Sequence, residues 1–256
     1  MDTGLRDARV LVTGGAGGIG TAITRSFAAE GARVAVHYHS SRDAAGVLAD
    51  EVGGVALGAD LTDPGATASL FSRVVASLGG LDVCVANAGR YPPGDVPVWE
   101  MDPDRFEETL AANLRVAFLT ARSFLRHAAG TGRGSLVFVG STAGLFGEAG
   151  HADYAAAKGA ITSGLLLSLK NEAAHIGDGV RVNAVAPGWT ITPKRAAAGI
   201  DPDQVARATA TMARSALATP EDVATQVVVL ASDRLSAHIT GQVVAVSGGM
   251  EGRIVR

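Results

Sequence analysis

Seven short runs rich in β-branched residues recur along the chain, at 9–13, 33–38, 55–58, 81–86, 135–140, 180–186 and 242–246. Most are apolar at every position rather than every second one, the pattern of strands covered on both faces. Longer stretches with helical spacing separate them, near 18–30, 43–52, 64–78, 103–129, 152–176 and 220–231. Three of these open on a capping side chain followed by proline: Asp63-Pro64, Asp102-Pro103 and Thr219-Pro220. Strands that alternate with helices pair in parallel through right-handed crossovers, and the helices cover both faces. The expected fold is therefore α/β, a doubly wound seven-stranded parallel sheet flanked by helices. No linker or break in composition divides residues 1–256, so a single domain is expected. The least regular stretch is 188–218, beyond the sixth run. It leaves the carboxyl end of a strand, where such sheets bind ligands, and is read as a substrate lid.

Composition narrows the function. Hydrophobic residues make up 47% of the 256 and charged residues 18%, enough to form a core and too apolar for disorder. The net charge of −3 supplies no basic face, and 5% aromatics supply no stacking platform, so no nucleic-acid or acidic-membrane partner is expected. The one cysteine, Cys84, excludes an intramolecular disulfide and a cysteine-cluster metal site, and its apolar neighbours suggest a buried thiol. His37, His127, His175 and His238 lack metal-ligand spacing, so no metal is expected. The first nine residues lack a signal-peptide core and no run of about 20 apolar residues exists, which points to a soluble, cytoplasmic protein.

The first run leads into Thr13-Gly14-Gly15-Ala16-Gly17-Gly18-Ile19-Gly20, and a helical pattern follows. A strand–glycine loop–helix unit turns free backbone N–H groups and the helix dipole toward a pyrophosphate, which marks a dinucleotide site. The end of the second run then selects the cofactor. A carboxylate there would pair with the ribose 2′-OH of NAD. This chain instead reads Tyr38-His39-Ser40-Ser41-Arg42, whose hydroxyls and guanidinium suit a 2′-phosphate. NADP(H) is favoured and NAD(H) stays open. Asp60-Leu61 after the third run offers an acceptor for the adenine amino group, or simply a turn carboxylate.

Only three of the 22 basic residues are lysines: Lys158, Lys170 and Lys194. Lys158 stands four residues after Tyr154, so both side chains share a helix face. A nearby ammonium stabilises a phenolate and makes tyrosine a usable acid or base near neutrality. Ser141 ends the fifth run on the same side of the sheet.

These pieces taken in order resemble the short-chain dehydrogenase/reductase family over essentially the whole chain. They are the glycine loop, Asp60, Asn87-Ala88-Gly89, Asn113, Ser141, Tyr154-x-x-x-Lys158, Pro187-Gly188 and the ending Ile239-Thr240-Gly241-Gln242. Gly150 to Lys158 and the Val-x-Tyr ending of the second run are most similar to 3-oxoacyl-carrier-protein reductases. The resemblance implies a Rossmann-like sheet of order 3-2-1-4-5-6-7. It implies an oxidoreductase reducing a ketone, such as a 3-oxoacyl thioester or a secondary-metabolite ketone, to a secondary alcohol.

The resemblance also implies roles. Tyr154 is the proton donor, Ser141 steadies the carbonyl oxygen, and Lys158 binds the nicotinamide ribose and lowers the Tyr154 pKa. Asn113 holds a water in a proton relay, or else patches a helix irregularity. Gly14, Gly18, Ile19, Gly20, Asn87, Ala88, Gly89, Pro187, Gly188, Thr190 and Thr192 surround the cofactor. A homotetramer built on the helices near 103–129 and 152–176 is implied too. The sequence departs from the family pattern at Ala16 and Gly17, where a basic residue often stands, at His39, and at Ser247. Trp189 and Thr190 stand where smaller or aliphatic residues are common, which suggests a substrate pocket of another shape. His151, at the expected pocket mouth, either faces solvent or touches substrate. Tyr91, Trp99, Phe146 and Trp189 either line an apolar slot or pack in the core. Three other readings stay open at this level: an NAD-dependent secondary-alcohol dehydrogenase, a non-catalytic nucleotide sensor, and a redox-neutral enzyme on the same fold.

Overall fold

The computed structural model describes residues 2–197, 199 and 202–250. Seven strands, β1 (Arg9–Val12), β2 (Arg33–Tyr38), β3 (Val55–Gly58), β4 (Val83–Ala86), β5 (Arg133–Val139), β6 (Gly179–Pro187) and β7 (Val243–Val246), form one sheet. Its order is β3-β2-β1-β4-β5-β6-β7, and every pairing is parallel. This is the expected Rossmann-like arrangement.

Alternation along each strand explains why the runs are apolar throughout. Leu11, Cys84, Leu136, Phe138, Val182 and Ala184 enter the core on one face. There they meet α3 (Pro64–Leu78), α5 (Val116–Ala128) and α8 (Leu166–Ala173). Val10, Val12, Val83, Val85, Val137 and Val185 enter the core on the other face, under α1 (Gly18–Ala29), α2 (Arg42–Val52) and α11 (Pro220–Ala231). Phe27 and Phe124 are wholly buried, one in each layer. Truncating either to alanine would cost on the order of 3–5 kcal/mol. Burial also pushes the Cys84 thiol pKa upward, consistent with an inert side chain.

The three proline-led helix starts form as expected. Asp63 accepts from Ala66 N–H, and Thr219 and Asp222 form a reciprocal capping box. Asp102 caps α4 (Pro103–Leu110) by accepting from Asp104 N–H. At the amino edge of the sheet two ion pairs tie strands to their surroundings. The Arg9 guanidinium grips both oxygens of Asp82, and buried Arg181 meets Asp233 at 2.7 Å and the carbonyls of Leu230 and Ala231.

The structure departs from the sequence reading in the long helices. Neither 103–129 nor 152–176 is one regular helix. A π-helical turn, Ala111–Arg115, separates α4 from α5, and a second, Ala160–Leu165, separates α7 (Ala152–Gly159) from α8. Side chains hold both irregularities open. The Asn113 amide donates to Thr109 C=O at 3.0 Å, and the Thr162 hydroxyl donates to Lys158 C=O at 3.0 Å. Two short helices, α6 (Ala143–Phe146) and α12 (Asp233–Ser236), were not expected. The stretch 188–218 is also more regular than expected. It carries α9 (Pro193–Ala197) and α10 (Pro202–Thr209), although residues 198, 200 and 201 lie outside the described residues.

Candidate active site

All the strands point the same way, so their carboxyl ends open along one edge onto a cleft of 1310 Å³. The glycine loop forms one end. A Cβ at Gly18 would lie 2.5 Å from the Thr192 methyl, and one at Gly20 would run into the Gly14 carbonyl. The loop therefore closes to this depth only with glycines there. Helix α1 starts at Gly18 with no side-chain cap, which leaves its first N–H groups to serve an anion. The Asn87 amide donates to the carbonyls of Thr13 and Gly14, at 2.8 and 3.1 Å, and fixes the loop against the end of β4.

His37, which has no metal-ligand spacing in the sequence, serves the glycine loop instead. Its position near the end of β2 turns the ring under the loop. Nδ1 accepts Gly14 N–H at 3.0 Å, and Nε2 faces Ala59 C=O at 3.1 Å and donates to it. Burial pushes its pKa down to about 4, so the ring is neutral at physiological pH and keeps the acceptor that Gly14 needs. Alternation along β2 places residue 37 with Ala35, on the face opposite Val34, Val36 and α1, so no pattern in the sequence marked its contact with the loop.

Tyr38, His39, Ser40 and Ser41 line the cleft beyond the loop. Arg42 does not. It opens α2 as an exposed residue outside the lining, because the helix begins there and turns its side chain to solvent. Asp60 and Leu61 do line the cleft. One Asp60 oxygen accepts the Thr62 hydroxyl and N–H, at 2.7 and 2.8 Å, which holds the carboxyl below its ordinary pKa.

The other end of the cleft brings Ser141, Tyr154, Lys158, Asn113 and Gly89 together. Tyr154 sits in the first turn of α7. Burial pushes its phenol up to about 12, against a hydrogen bond with Ser141 that acts to lower it. The Lys158 ammonium is 5.7 Å from the Tyr154 ring centre and donates to Val139 C=O at 2.9 Å. Burial lowers its own pKa to about 8. Burial is the largest influence on the Tyr154 phenol in this geometry, in which the Lys158 ammonium is turned toward the strand. Asn113 is buried. It donates to Arg90 C=O at 2.9 Å and accepts Arg90 N–H at 3.2 Å, besides patching the π turn. A Cβ on Gly89 would lie 2.6 Å from the Asn113 oxygen and 3.4 Å from the Lys158 ammonium, so this backbone lies directly on both.

Ala88, Pro187, Gly188, Thr190 and Thr192 also line the cleft. Trp189 lines it with its ring stacked under Arg195, 4.4 Å away. Tyr91 and Phe146 line it as well, whereas Trp99 stands outside it and is 81% exposed. His151 is neither at the surface nor in the cleft wall. It is 1% exposed and stacks beneath Tyr91 at 4.4 Å, with Nε2 3.3 Å from Pro92 C=O. The α7 start pulls it inward and Tyr91 covers it.

A phenol, a hydroxyl and an ammonium converge at one end of this cleft, and an anion-binding helix start lies at the other. Residues 14–251 match the family model described as "Enoyl-(Acyl carrier protein) reductase". The chain belongs to the short-chain dehydrogenase/reductase family. It is similar to cis-4-hydroxycyclohexanecarboxylate dehydrogenase of Sinomonas cyclohexanicum, with 37% identity over 93% of this chain and 94% of the relative. It is 34% identical to the 3-oxoacyl-[acyl-carrier-protein] reductase FabG of Escherichia coli (strain K12), over 94% of this chain and 96% of the relative. It is also 34% identical to 2-(S)-hydroxypropyl-CoM dehydrogenase 3 of Xanthobacter autotrophicus, over 98% and 99%. The short-chain dehydrogenase/reductase here is therefore an oxidoreductase acting on CH–OH or C=O groups with NAD(P). Among the described residues, no helix is long and apolar enough to cross a membrane.

Proposed function

We propose that this enzyme reduces a compact ketone to a secondary alcohol with NADP(H), with Tyr154 as proton donor. The observation that carries the reading is the approach of Tyr154, Ser141 and Lys158 to one end of a cleft whose other end is the glycine loop. The loop and the free start of α1 fit a pyrophosphate. Tyr38, His39, Ser40 and Ser41 fit the 2′-phosphate side, with hydroxyl donors and no carboxylate. Asp60 and Leu61 flank the adenine, and Asn87, Ala88 and Gly89 the adenosine ribose. Lys158 holds the nicotinamide ribose, with Pro187, Gly188, Thr190 and Thr192 around the ring. The nicotinamide, when bound, supplies or accepts the hydride.

The chain's own work is with the proton. Ser141 donates to the substrate oxygen and orients it toward Tyr154. The Tyr154 phenol gives its proton as negative charge develops on that oxygen, a stabilisation largest in the transition state. A water held by Asn113 would link Lys158 to solvent, and through it and Lys158 a replacement proton would pass inward. In the oxidative direction each transfer reverses.

Tyr91, Phe146 and Trp189 give the substrate end aromatic walls, which suit a ring or a short acyl chain. The described residues of the stretch 188–218, with α9 and α10, serve as a substrate lid on one dinucleotide-binding and catalytic domain. A second reading, an NAD-linked secondary-alcohol dehydrogenase, draws support from the relative at 37% identity, whose name is that of a dehydrogenase of a cyclohexane alcohol.

The test is turnover of cyclohexanone, cyclohexanol and a 3-oxoacyl thioester with each nicotinamide cofactor, followed by nicotinamide absorbance. Tyr154→Phe is expected to lower kcat by about 10²- to 10⁴-fold with nucleotide affinity kept. Near-normal turnover would remove Tyr154 from the chemistry.

A further inference from the structure

Asp153 immediately precedes Tyr154 and is fully buried, a place a carboxylate holds only when donors meet its oxygens. One oxygen accepts Tyr154 N–H at 2.9 Å, at the start of α7. The other accepts Arg105 Nε–H at 3.1 Å and the Thr109 hydroxyl at 2.9 Å, both from α4. Burial opposes the charge, but these donors more than offset it and keep the carboxyl below its ordinary pKa.

Arg105 reaches further. Its Nη1 donates to the carbonyls of Pro93 and Gly94, at 3.2 and 3.1 Å, and its Nη2 to that of Gly150 at 3.5 Å. The first two belong to the segment that follows Tyr91, and the third to the turn before α7. Thr109 extends the chain of contacts the other way, since its carbonyl accepts the Asn113 amide. One pair thus joins four segments, and each supplies a group to the substrate end: Tyr91, Asn113, Glu148 and Tyr154.

The product of this arrangement is a defined ring geometry. Tyr91 meets Tyr154 edge-on, with centres 5.0 Å apart and planes at 74°. The Tyr91 hydroxyl is pinned by Glu148 at 2.8 Å and His151 at 3.2 Å. A buried ion pair is weak evidence of stabilisation by itself, because apolar residues of similar volume often serve as well. Its value is directional: a forked guanidinium fixes angles that apolar packing leaves free.

We propose that Asp153 and Arg105 are positioning residues of the reaction, which set Tyr154 against the Tyr91 wall on which the substrate lies. The inference rests on the reading of Tyr154 as proton donor.

The chain has three tyrosines, Tyr38, Tyr91 and Tyr154, so protein carrying ¹³C at tyrosine Cζ gives three signals that Tyr→Phe variants assign. Tyr38 lies by the glycine loop and serves as an internal reference. Arg105→Ala and Asp153→Asn are compared with the unmodified protein across an alkaline titration. Loosening the clamp admits water to a phenol whose high pKa comes mainly from burial. Both variants are therefore expected to titrate Tyr154 about one pH unit lower, toward the ordinary tyrosine value. The Tyr91 signal should move with it while Tyr38 stays put. A purely electrostatic influence would drive the two variants in opposite directions, since one removes a negative and the other a positive charge. That result, or no movement of Tyr154, overturns the proposal. If either variant fails to fold, Arg105→Lys keeps the charge without the fork. Displaced Tyr91 and Tyr154 signals there support the positioning role, and unchanged ones refute it. Nucleotide affinity is expected to stay within about twofold, because the clamp touches none of the groups at the glycine-loop end. Full turnover by Tyr154→Phe would defeat the proton-donor reading while leaving this measurement intact.

Discussion

The neutral state of His37 predicts an acid sensitivity that can be computed and isolated. Nδ1 accepts from Gly14 N–H and Nε2 donates to Ala59 C=O, so protonation would set two N–H groups against each other. Burial is the main cause of the pKa's fall from 6.5 to about 4. The unfolded chain takes up this proton near pH 6.5 and the folded chain only near 4. Between those values the unfolded state binds more protons, and stability falls as pH falls. A difference of about 2.5 pH units corresponds to about 3.4 kcal/mol below both pKa values, of which about 2 kcal/mol is lost between pH 7 and pH 5. His37→Asn keeps a donor and an acceptor and does not titrate. Urea unfolding of both proteins across that range should show the unmodified chain losing about 2 kcal/mol more than the variant. Carboxylates such as Asp82 and Asp153, held below their ordinary pKa, contribute to both proteins alike and drop out of the difference. Parallel stability curves would refute the reasoning. Nucleotide affinity should hold over the same interval, since the folded ring stays neutral until near pH 4 and the glycine loop keeps its acceptor.

Three further outcomes follow from particular contacts. Gly144→Ala would place a Cβ 2.5 Å from the Lys158 carbonyl carbon and 2.6 Å from Gly159 N, both backbone. Displacing α6 from α7 should cost about 1–3 kcal/mol in thermal unfolding and most of the turnover. Arg42→Ala should leave NADP(H) and NAD(H) affinity each within about twofold, because this side chain stands outside the cleft lining; a loss of about tenfold confined to NADP(H) would show that the arginine reads the 2′ position. Phe118 and Leu167 stand exposed on α5 and α8, as expected if those helices meet a second copy. Light scattering at micromolar concentration should give a tetramer, and a monomer mass would defeat that assembly.

The sheet was legible because its physics is local. A strand covered on both faces has no polar position to spare, and Val10 to Val12 and Leu136 to Val139 report that directly. Helix starts at Asp63, Asp102 and Thr219 were legible for the same reason, since a capping side chain and its proline are neighbours in sequence. The glycine loop, Ser141, Tyr154 and Lys158 could be placed by their order relative to strands. What escaped depends on contacts between distant segments. Within 103–129 the sequence marks Asn113 as able to patch a helix irregularity, but not that a π turn forms there, because Asn113 is also held by Arg90 on another segment. His151 reads as a surface residue until Tyr91, sixty positions earlier, covers it. The Tyr154 pKa could not be foreseen from a lysine four residues on, because its largest cause is burial, which only the assembled cleft determines.

The parallel arrangement separates two jobs that most folds leave entangled. Every strand delivers its carboxyl end to the cleft, so the amino edge, closed by Arg9–Asp82 and Arg181–Asp233, takes no part in chemistry. Sequence change at one edge is filtered by resistance to unfolding, and change at the other by which molecule enters. A lineage of such chains can therefore acquire new substrates through Tyr91, Phe146 or Trp189 while its thermal tolerance is tuned independently from the opposite side. For an engineer, hardening substitutions belong around Asp82 and Asp233, where they add to redesign of the cleft instead of competing with it.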